Sequence, residues 1–575
     1  MPVHSAPSVV LGLCAHTHDS AAALLVDGAL VGFVEEERLS GIKHTKAFPE
    51  LAVRWLLDLA GLGPGQVGAV AYNFSAAHYL PEVLGATRFA LSSSTRQRAL
   101  PRAKGFAKVA ARTAWRTHDL RRRFPVSAVR PVLHHRAHQA YSFAASEHEE
   151  AAVLVVDSLG ERQTTTIAQA RRDPRGMPVL RPRHALRDPA SLGYVYGAVT
   201  EHLGWRRGDE EGTVMALAAT GDPARFRNLF ARALPLVEHG FRVDPAWFPP
   251  RVLASGQPRV TARFTGATCA PRCPAEPIGQ VHRDLAAALQ ERTEQVMLHL
   301  ARSARALTGA RHLCLGGGVA ANCVAAGRIA ESEIFESVFV PPAPGDAGTA
   351  IGAAVSVAST SPRSVLSGVR GACYLGPDWD EPVLDTTDWP GLRVSRPTGE
   401  PAAFLAAELA AGGVVGLFQG RVEAGPRALG NRSILASPLI PGVVDRLNAT
   451  VKFREPFRPF APVVTAERAA EYFTLGQEAP FMSFASHATD RARAEIPAVI
   501  HANGTARVQT VTARQNPFLH AVLEEFGART GVPVLINTSL NTKGRPICGT
   551  PRMALECLAG SGLDALLLEG WWVTK

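Results

Sequence analysis

His134, His135 and His138 fall within five residues of "LHHRAHQAY" (133–141). On a helix, His134 and His138 stand at i, i+4 on one face, a spacing that lets two imidazoles reach one metal ion. His135 and His138, at i, i+3, allow the same, and the spacing does not choose between the pairs. Asp157 closes the apolar run "EEAAVLVVD" that follows, and Asp346 opens the turn in "PPAPGDAG". Two imidazoles with two carboxylates make a mixed nitrogen and oxygen donor set, better suited to Fe2+, Mn2+ or a similar divalent ion than to structural zinc.

A second set of residues suits anions. Arg427, Arg432, Lys452, Arg454, Arg458, Arg507, Lys543 and Arg545 lie among turn-forming residues, in segments such as "GPRALGNRS", "KFREPFRPF" and "INTSLNTKG". Guanidinium forks bind phosphate and carboxylate in bidentate fashion, which fits a polyphosphate or an anionic carbonyl donor. The Walker A pattern is absent, so any ATP is held by another architecture. A third feature is "HLCLGGGVAAN", a strand running into Gly316, Gly317 and Gly318 before a helix. Such glycines let backbone lie close to a ligand, and a helix N-terminus offers unpaired N–H groups to an anion.

The elements that must carry these residues read as α/β. "SVVLGLCAHTHDSAAALLVDGALVGFVEEERL" gives an apolar strand, a polar turn at His16 to Asp19, a second strand, a "DG" reversal and a third strand. "EEAAVLVVDSLGERQTTTIAQARRD" repeats strand, acidic turn and returning strand. Two such hairpins are what a duplicated α/β fold shows, one in each half, facing a shared cleft. "SVFVPPAPGDAGTAIGAAVSVA" adds a strand ending at Pro341 and Pro342, then Asp346 and a small-residue helix. Near residue 360 a stretch rich in Ser, Gly and Pro reads as a linker, and a second module runs from there to the closing strand "DALLLEGWWV".

The 575 residues are too many for one hydrophobic core, which predicts two domains. No apolar run is long enough to span a bilayer, and "MPVHSAPSVVLGL" lacks the features of a signal peptide. The eight cysteines are scattered, with only Cys269 and Cys273 close together; this pattern suits reduced thiols in a cytoplasm and argues against a disulfide framework. The net charge of +10 suits anionic partners. Much of it sits between Thr95 and Pro125, where only Phe106 and Trp115 interrupt the cations, so the segment reads as a solvated helical insertion rather than a nucleic-acid site.

With these residues assembled, the chain resembles the O-carbamoyltransferases of antibiotic and Nod-factor biosynthesis, the family of nebramycin synthetase and the cephem carbamoyltransferases. The resemblance runs nearly full length, through "HDSAAALLVDG", "VEEERLSGIKH", "HHRAHQAY", "VLVVDSLGE", "LGGGVAAN", "FVPPAPGDAGTAIGAA", "GRVEAGPRALGNRS", "FREPFRPFAP" and "INTSLNTKGRPI". It implies a duplicated actin/Hsp70/sugar-kinase-like (ASKHA) domain over residues 1–365, a linker over 366–395 and a YrdC-like α/β domain over 396–575. It implies two reactions. The C-terminal domain converts carbamoyl phosphate and ATP into carbamoyl-adenylate, losing phosphate and pyrophosphate, and the N-terminal domain passes the carbamoyl group to an acceptor hydroxyl. The implied partners are small molecules, namely carbamoyl phosphate, ATP with Mg2+ and a hydroxylated natural product, with neither nucleic acid nor membrane. The family also allows a homodimer.

Carried over position by position, the resemblance puts the metal ligands on His134, His138, Asp157 and Asp346, with Fe2+ before Mn2+ as the ion and His135 as a neighbour. His18 matches a general base near the acceptor hydroxyl, a task suited to a pKa near neutrality. Lys43 matches a lysine near the acceptor or the intermediate. Asn322, with Gly316, Gly317 and Gly318, matches the adenylate contact. Arg427, Lys452, Arg458, Arg507, Asn537 and Asn541 match positions that hold the ATP phosphates and the carbamoyl donor. One stretch departs from the family. Where members read Gly-Lys-x-Met-Gly-Leu-Ala, this chain has "GTVMALAATG", with Thr213 for the lysine and Ala216 for the glycine. A hydroxyl does not replace an ammonium as a phosphate clamp. Two other readings compete: a tRNA threonylcarbamoyl-type transferase, against which the fused second module argues, and a non-catalytic scaffold, against which the His/His/Asp/Asp set argues.

Overall fold

The computed structural model describes residues 8–93, 95–253, 256–379 and 388–575. The N-terminal half contains two five-stranded sheets. In the first, β1 (Val9–Cys14), β2 (Ala21–Val26), β3 (Ala29–Glu35), β4 (Ala69–Tyr72) and β5 (Ala128–Pro131) lie in the order β3-β2-β1-β4-β5. The second is built from β6 (Glu150–Val156), β7 (Gln163–Arg172) and β8 (Pro178–Arg187). A small hairpin of β9 (Leu236–Val237) and β10 (Gly240–Phe241) then intervenes before β11 (His312–Gly316) and β12 (Ser337–Phe339) complete it in the order β12-β11-β6-β7-β8. The two orders are the same. So are the directions, because β1 and β6 each pair antiparallel with the next strand and parallel with one that arrives after a crossover. The duplication suggested by two hairpins thus extends over both sheets, as a doubled α/β fold requires.

β1 is buried along its whole length and β6 nearly so, as their continuous apolar runs require. The Asp27–Gly28 reversal has φ of 51° and 92°, left-handed at both positions, the geometry a tight two-residue hairpin needs. Helix Thr349–Ala358 packs on the first sheet, helix His134–Ala144 on the second, and the two helices pack on each other. Their small residues permit this approach: a Cβ on Gly352 would collide with the Ala137 carbonyl, and one on Gly12 with that of Ala350.

The C-terminal half is a separate mixed α/β module. Its strands are β13 (Arg393–Ser395), β14 (Val415–Phe418), β15 (Arg432–Ala436), β16 (Ala461–Thr465), β17 (Phe484–His487), β18 (Thr505–Val511), β19 (Val534–Ser539), β20 (Ala565–Leu568) and β21 (Trp571–Thr574). They form one mixed sheet in the order β13-β21-β20-β14-β15-β19-β16-β18-β17. Of the expected linker, residues 380–387 lie outside the described residues. The part before them is no free tether. Val369, Cys373 and Leu375 are buried, Phe33 N donates to the Leu375 carbonyl at 3.1 Å, and Ala424 N donates to that of Cys373 at 2.7 Å.

A buried ionic cluster also joins the halves. Glu35, at the end of β3, accepts from Gly425 N at 2.7 Å, while Arg38 donates to the Gly425 carbonyl at 2.6 Å and to Glu37 at 2.5 Å. Gly425 has φ of 91°, and a Cβ there would strike the carbonyl of Pro342, in the loop that leads to Asp346. One glycine therefore ties β3, the Asp346 loop and the segment carrying Arg427. Burial of Glu35 outweighs its favourable contacts with Arg38 and Gly425 N–H and pushes its carboxyl up to about 7. Between the unfolded value, about 4.3, and about 7 the folded state holds a proton that the unfolded state releases. Stability is therefore greatest below that range and falls by roughly 4 kcal/mol as pH rises through it. Glu35→Gln keeps an acceptor for Gly425 N. Denaturant midpoints are expected to place this variant near wild type at pH 5 and above it at pH 8; a difference that does not change with pH would refute the assignment.

Candidate active site

Three elements bring together the first group of residues. His134 and His138 occupy the first turns of the helix that packs on the second sheet, Asp157 follows β6 directly, and Asp346 follows the loop after β12. His134 Nε2 lies 3.1 Å from His138 Nε2, 3.3 Å from Asp157 Oδ2 and 3.4 Å from Asp346 Oδ1, and His138 Nε2 lies 3.8 Å from Asp346 Oδ1. All four residues are buried, and one ligand atom from each falls within 4.8 Å of the others, so together they form a group able to hold a metal ion. Phe74 stacks on His134 at 4.7 Å, Gly318 N donates to Asp157 Oδ1 at 3.2 Å, and the Thr17 hydroxyl donates to Asp346 Oδ2 at 3.3 Å; these contacts fix the ligand orientations. Two imidazole nitrogens this close need either a shared proton or a cation between them. Burial opposes charge on His134, but Asp346 and Asp157 outweigh it and raise its pKa well above the usual value. The cluster is thus a cation site by its own electrostatics, and its donor set fits a divalent ion.

His135 takes no part. Its Nδ1 bonds the Thr166 hydroxyl at 3.1 Å, and burial pushes its pKa down to about 3. The i, i+3 alternative is therefore closed by the side chain's direction.

His18 lies at the same cavity, in a network wider than the spacing in sequence reveals. Its Nδ1 bonds Asp19 Oδ2 at 2.9 Å. Asp19 Oδ1 is 2.5 Å from His44 Nδ1, His44 Nε2 is 2.8 Å from Asp209 Oδ1, and Lys43 Nζ donates to the same oxygen at 2.7 Å. Sequence reasoning missed His44 and Asp209. The available signals were the His next to Lys43 in "GIKH" and the acidic run "GDEEG" beside the departure at Thr213. His18 also departs from the expected near-neutral pKa. Burial lowers it, but the Asp19 hydrogen bond and the charges of Asp346 and Asp157 raise it to about 9. The neutral form of His18 is favoured only when that negative charge is met by a cation.

The three glycines do not contribute equally. Gly318 lines the cavity, whereas Gly316 packs on Ser142 and Gly317 takes φ of 87° with a Cβ position blocked by the Val156 carbonyl. Gly316 and Gly317 therefore shape the turn and do not reach the cavity. Asn322 lines the cavity while capping helix Cys323–Ala330 and exchanging hydrogen bonds with Gln290 at 2.9 and 3.1 Å. Thr213 lines it with a buried hydroxyl that has no hydrogen-bond partner among the described residues.

Across the cavity stand Arg427, Lys452, Arg454, Arg458, Arg507, Lys543 and Arg545. Lys452 is held from within, donating to the Ser539 hydroxyl at 3.2 Å and to Asn541 Oδ1 at 2.8 Å; burial, then Arg454, lowers its pKa to about 7. Asn541 lines the cavity as well and orients Lys452. Among the described residues the guanidinium groups of Arg427, Arg458 and Arg507 have no ion-pair or hydrogen-bond partner. Burial, then Arg507, lowers Arg427 to about 9, and burial is also the first cause of the lowered pKa of Arg458 and of Arg507. Unpaired, mutually repelling cations on one wall describe an anion site. Two residues expected here lie behind the wall. Asn537 is fully buried, its amide donating to Gln509 Oε1 at 2.6 Å and to the Ala428 carbonyl at 3.3 Å, so it braces the Arg427 segment instead of reaching ligand. Arg432 is fully buried over the Phe418 ring and donates to the carbonyls of Gln419 and Gly420.

His18, Asp157, Gly318, Asn322 and Asp346 share one cavity of about 1170 Å³ with Arg427, Lys452, Arg458 and Arg507. A histidine–aspartate group able to hold a metal ion and a wall of unpaired arginines thus meet at a common cavity, one from each half of the chain, an arrangement suited to group transfer. Residues 9–355 match the family described as Carbamoyltransferase N-terminus and residues 406–575 that described as Carbamoyltransferase C-terminus. The chain belongs to the carbamoyltransferase family. Nodulation protein NolNO of Sinorhizobium fredii is 35% identical, over 97% of this chain and 79% of its own length. Nodulation protein NolO of Bradyrhizobium diazoefficiens is 37% identical, over 77% of this chain and 78% of its own. The Synechocystis protein sll1178 is 34% identical, over 98% and 96%. No helix among the described residues is long and apolar enough to cross a membrane.

Proposed function

We propose that this carbamoyltransferase is ATP-dependent, takes carbamoyl phosphate as donor, and delivers the carbamoyl group to a hydroxyl of a specialised natural product in two steps. The observation that carries this reading is the shared cavity, with the unpaired guanidinium groups of Arg427, Arg458 and Arg507 at one part and His18 with Asp157 and Asp346 of the His/Asp cluster at another. Atom balance requires one water: carbamoyl phosphate yields phosphate and carbamate, and a carbamate oxygen displaces pyrophosphate from the α-phosphorus of ATP. The cationic wall stabilises the leaving pyrophosphate. The resulting carbamoyl-adenylate is a labile mixed anhydride, and making and using it within one cavity keeps it from bulk water. His18, oriented through Nδ1 by Asp19, takes the proton of the acceptor hydroxyl as its oxygen attacks the carbamoyl carbon and AMP departs.

His134, His138, Asp157 and Asp346 hold a divalent ion, Fe2+ before Mn2+, which when bound supplies Lewis acidity toward the carbamoyl or phosphate oxygens. Elemental analysis of the purified protein is expected to find one such ion per chain, and His138→Ala or Asp157→Asn to lose most of it; full retention in both variants removes the ligand assignment.

The test of the reading is pyrophosphate release from ATP, expected with carbamoyl phosphate alone and no acceptor or tRNA present. Release only with threonine and bicarbonate supports the tRNA-type alternative, and the absence of release with every donor supports the scaffold. Mass spectrometry of candidate hydroxylated metabolites, scored for one added carbamoyl, then identifies the acceptor.

A further inference from the structure

The chain's positive charge is concentrated in one element. Helix Arg96–Arg123 contains ten Lys and Arg residues and a single Asp, a net of +9, in a chain whose total is +10. Its faces are sharply divided. Ala99, Arg102, Phe106, Thr113, Thr117 and Leu120 are buried against the protein. At 100° per residue the opposite side carries Leu100, Lys104, Lys108, Arg112, Trp115 and Arg122, all exposed. The cation on the inner face, Arg102, is matched by Glu82 at 2.6 Å and Asp188 at 2.5 Å, and Asp119 is taken by Arg123 at 2.8 Å. Among the described residues Lys104, Lys108, Arg112 and Arg122 have no ion-pair partner. The inner face accounts for how the helix is held to the protein; it leaves the outward stripe without a role.

Large apolar side chains stand exposed in the same segment. Leu100 is 63% and Trp115 64% exposed on the helix, and the segment before it adds Leu84, in the short helix Leu80–Gly85, at 76% and Leu91 at 86%. This combination selects among anionic partners. A nucleic-acid backbone engages the cations and leaves the leucines in water. A second copy of the chain, docking by the same face, would set the unpaired Lys104, Lys108, Arg112 and Arg122 against their own counterparts. The interface of an anionic bilayer satisfies both features, with lipid headgroups meeting the Lys and Arg residues while Leu and Trp side chains enter the boundary of the acyl region. We propose that helix Arg96–Arg123 docks this enzyme peripherally on anionic lipid surfaces, lying in the plane of the membrane without crossing it.

The full chain is tested by co-sedimentation with vesicles of phosphatidylcholine alone and of phosphatidylcholine with phosphatidylglycerol. Binding is expected only to the second, weakening with added salt. The variant Lys104→Glu/Lys108→Glu/Arg112→Glu is expected to bind at least about tenfold more weakly with carbamoyl transfer unchanged. Leu100→Ser/Trp115→Ser is expected to weaken vesicle binding at constant net charge. Absence of binding to either vesicle overturns the proposal. So does binding to tRNA or heparin that matches vesicle binding in strength and is insensitive to Leu100→Ser/Trp115→Ser, since that outcome assigns the stripe to nucleic acid.

Discussion

Arg458→Ala is expected to reduce carbamoyl-phosphate-dependent pyrophosphate release by about 10²- to 10³-fold while leaving bound metal and folding stability unchanged. The expectation rests on what the guanidinium does not do. It makes no hydrogen bond or ion pair among the described residues, so its removal opens no hole in a bonded network. It stands at a cavity wall with Arg507 and Arg427, and burial followed by repulsion from Arg507 works against its charge, offset in part by Glu455. Deleting one of several repelling cations relieves strain in the unliganded protein, so an ordinary structural account predicts equal or slightly higher stability and no loss of chemistry. A functional account predicts the reverse for activity, because the cation's compensation arrives only with the anion. Arg458→Lys separates charge from geometry: it keeps the charge but not the planar fork, and partial activity is expected. If Arg458→Ala releases pyrophosphate at a rate within about threefold of wild type, the arginine wall is not where the anhydride is made.

Much of this site could be read from residue types because each signal was local. The duplicated strand and turn patterns around His18 and Asp157 lie within single hairpins, and the topology repeats accordingly. His134 and His138 share a helical face by spacing alone, although the choice against His135 needed the direction of its ring toward Thr166. What stayed hidden depends on long-range closure. Asp209 meets Lys43 and His44 only after the chain has completed the first sheet and three strands of the second, and no spacing rule joins residues so far apart. Asn537 looked like a ligand contact because it sits among the "INTSLNTKG" turn residues, yet its place on β19 turns its amide toward Gln509. The Ser-, Gly- and Pro-rich stretch after residue 360 has a linker's composition, but the backbone bonds of Leu375 and Cys373 to both halves are a tertiary outcome. That the two centres share a cavity is also tertiary. Gly425 wedges against Pro342 and brings the Arg427 segment onto the Asp346 loop, a contact between positions that sequence shows only as two separate motifs.

His18→Ala is expected to divide the two steps. Pyrophosphate release should stay within about threefold of wild type, while carbamoyl transfer to the acceptor falls by about 10²- to 10⁴-fold. The division follows from placement. His18 belongs to the β1–β2 turn of the N-terminal half, bonded to Asp19 and through it to His44, and makes no hydrogen bond to any cation of the opposite wall. With Nδ1 engaged by Asp19, Nε2 is the nitrogen available to an acceptor hydroxyl. The pH dependence gives a second reading. Asp19, Asp346 and Asp157 hold the imidazole protonated up to about 9, and a general base works in its unprotonated form, so wild-type transfer should rise with pH until His18 has lost its proton. A cation at Asp157 and Asp346 moves that rise to lower pH by removing the charge that favours the imidazolium. The residual rate of His18→Ala should lack this rise altogether. A merely structural histidine would lower both steps together and leave the shape of the pH profile intact, and that result would return the proton transfer to another member of the Asp19, His44 and Asp209 network.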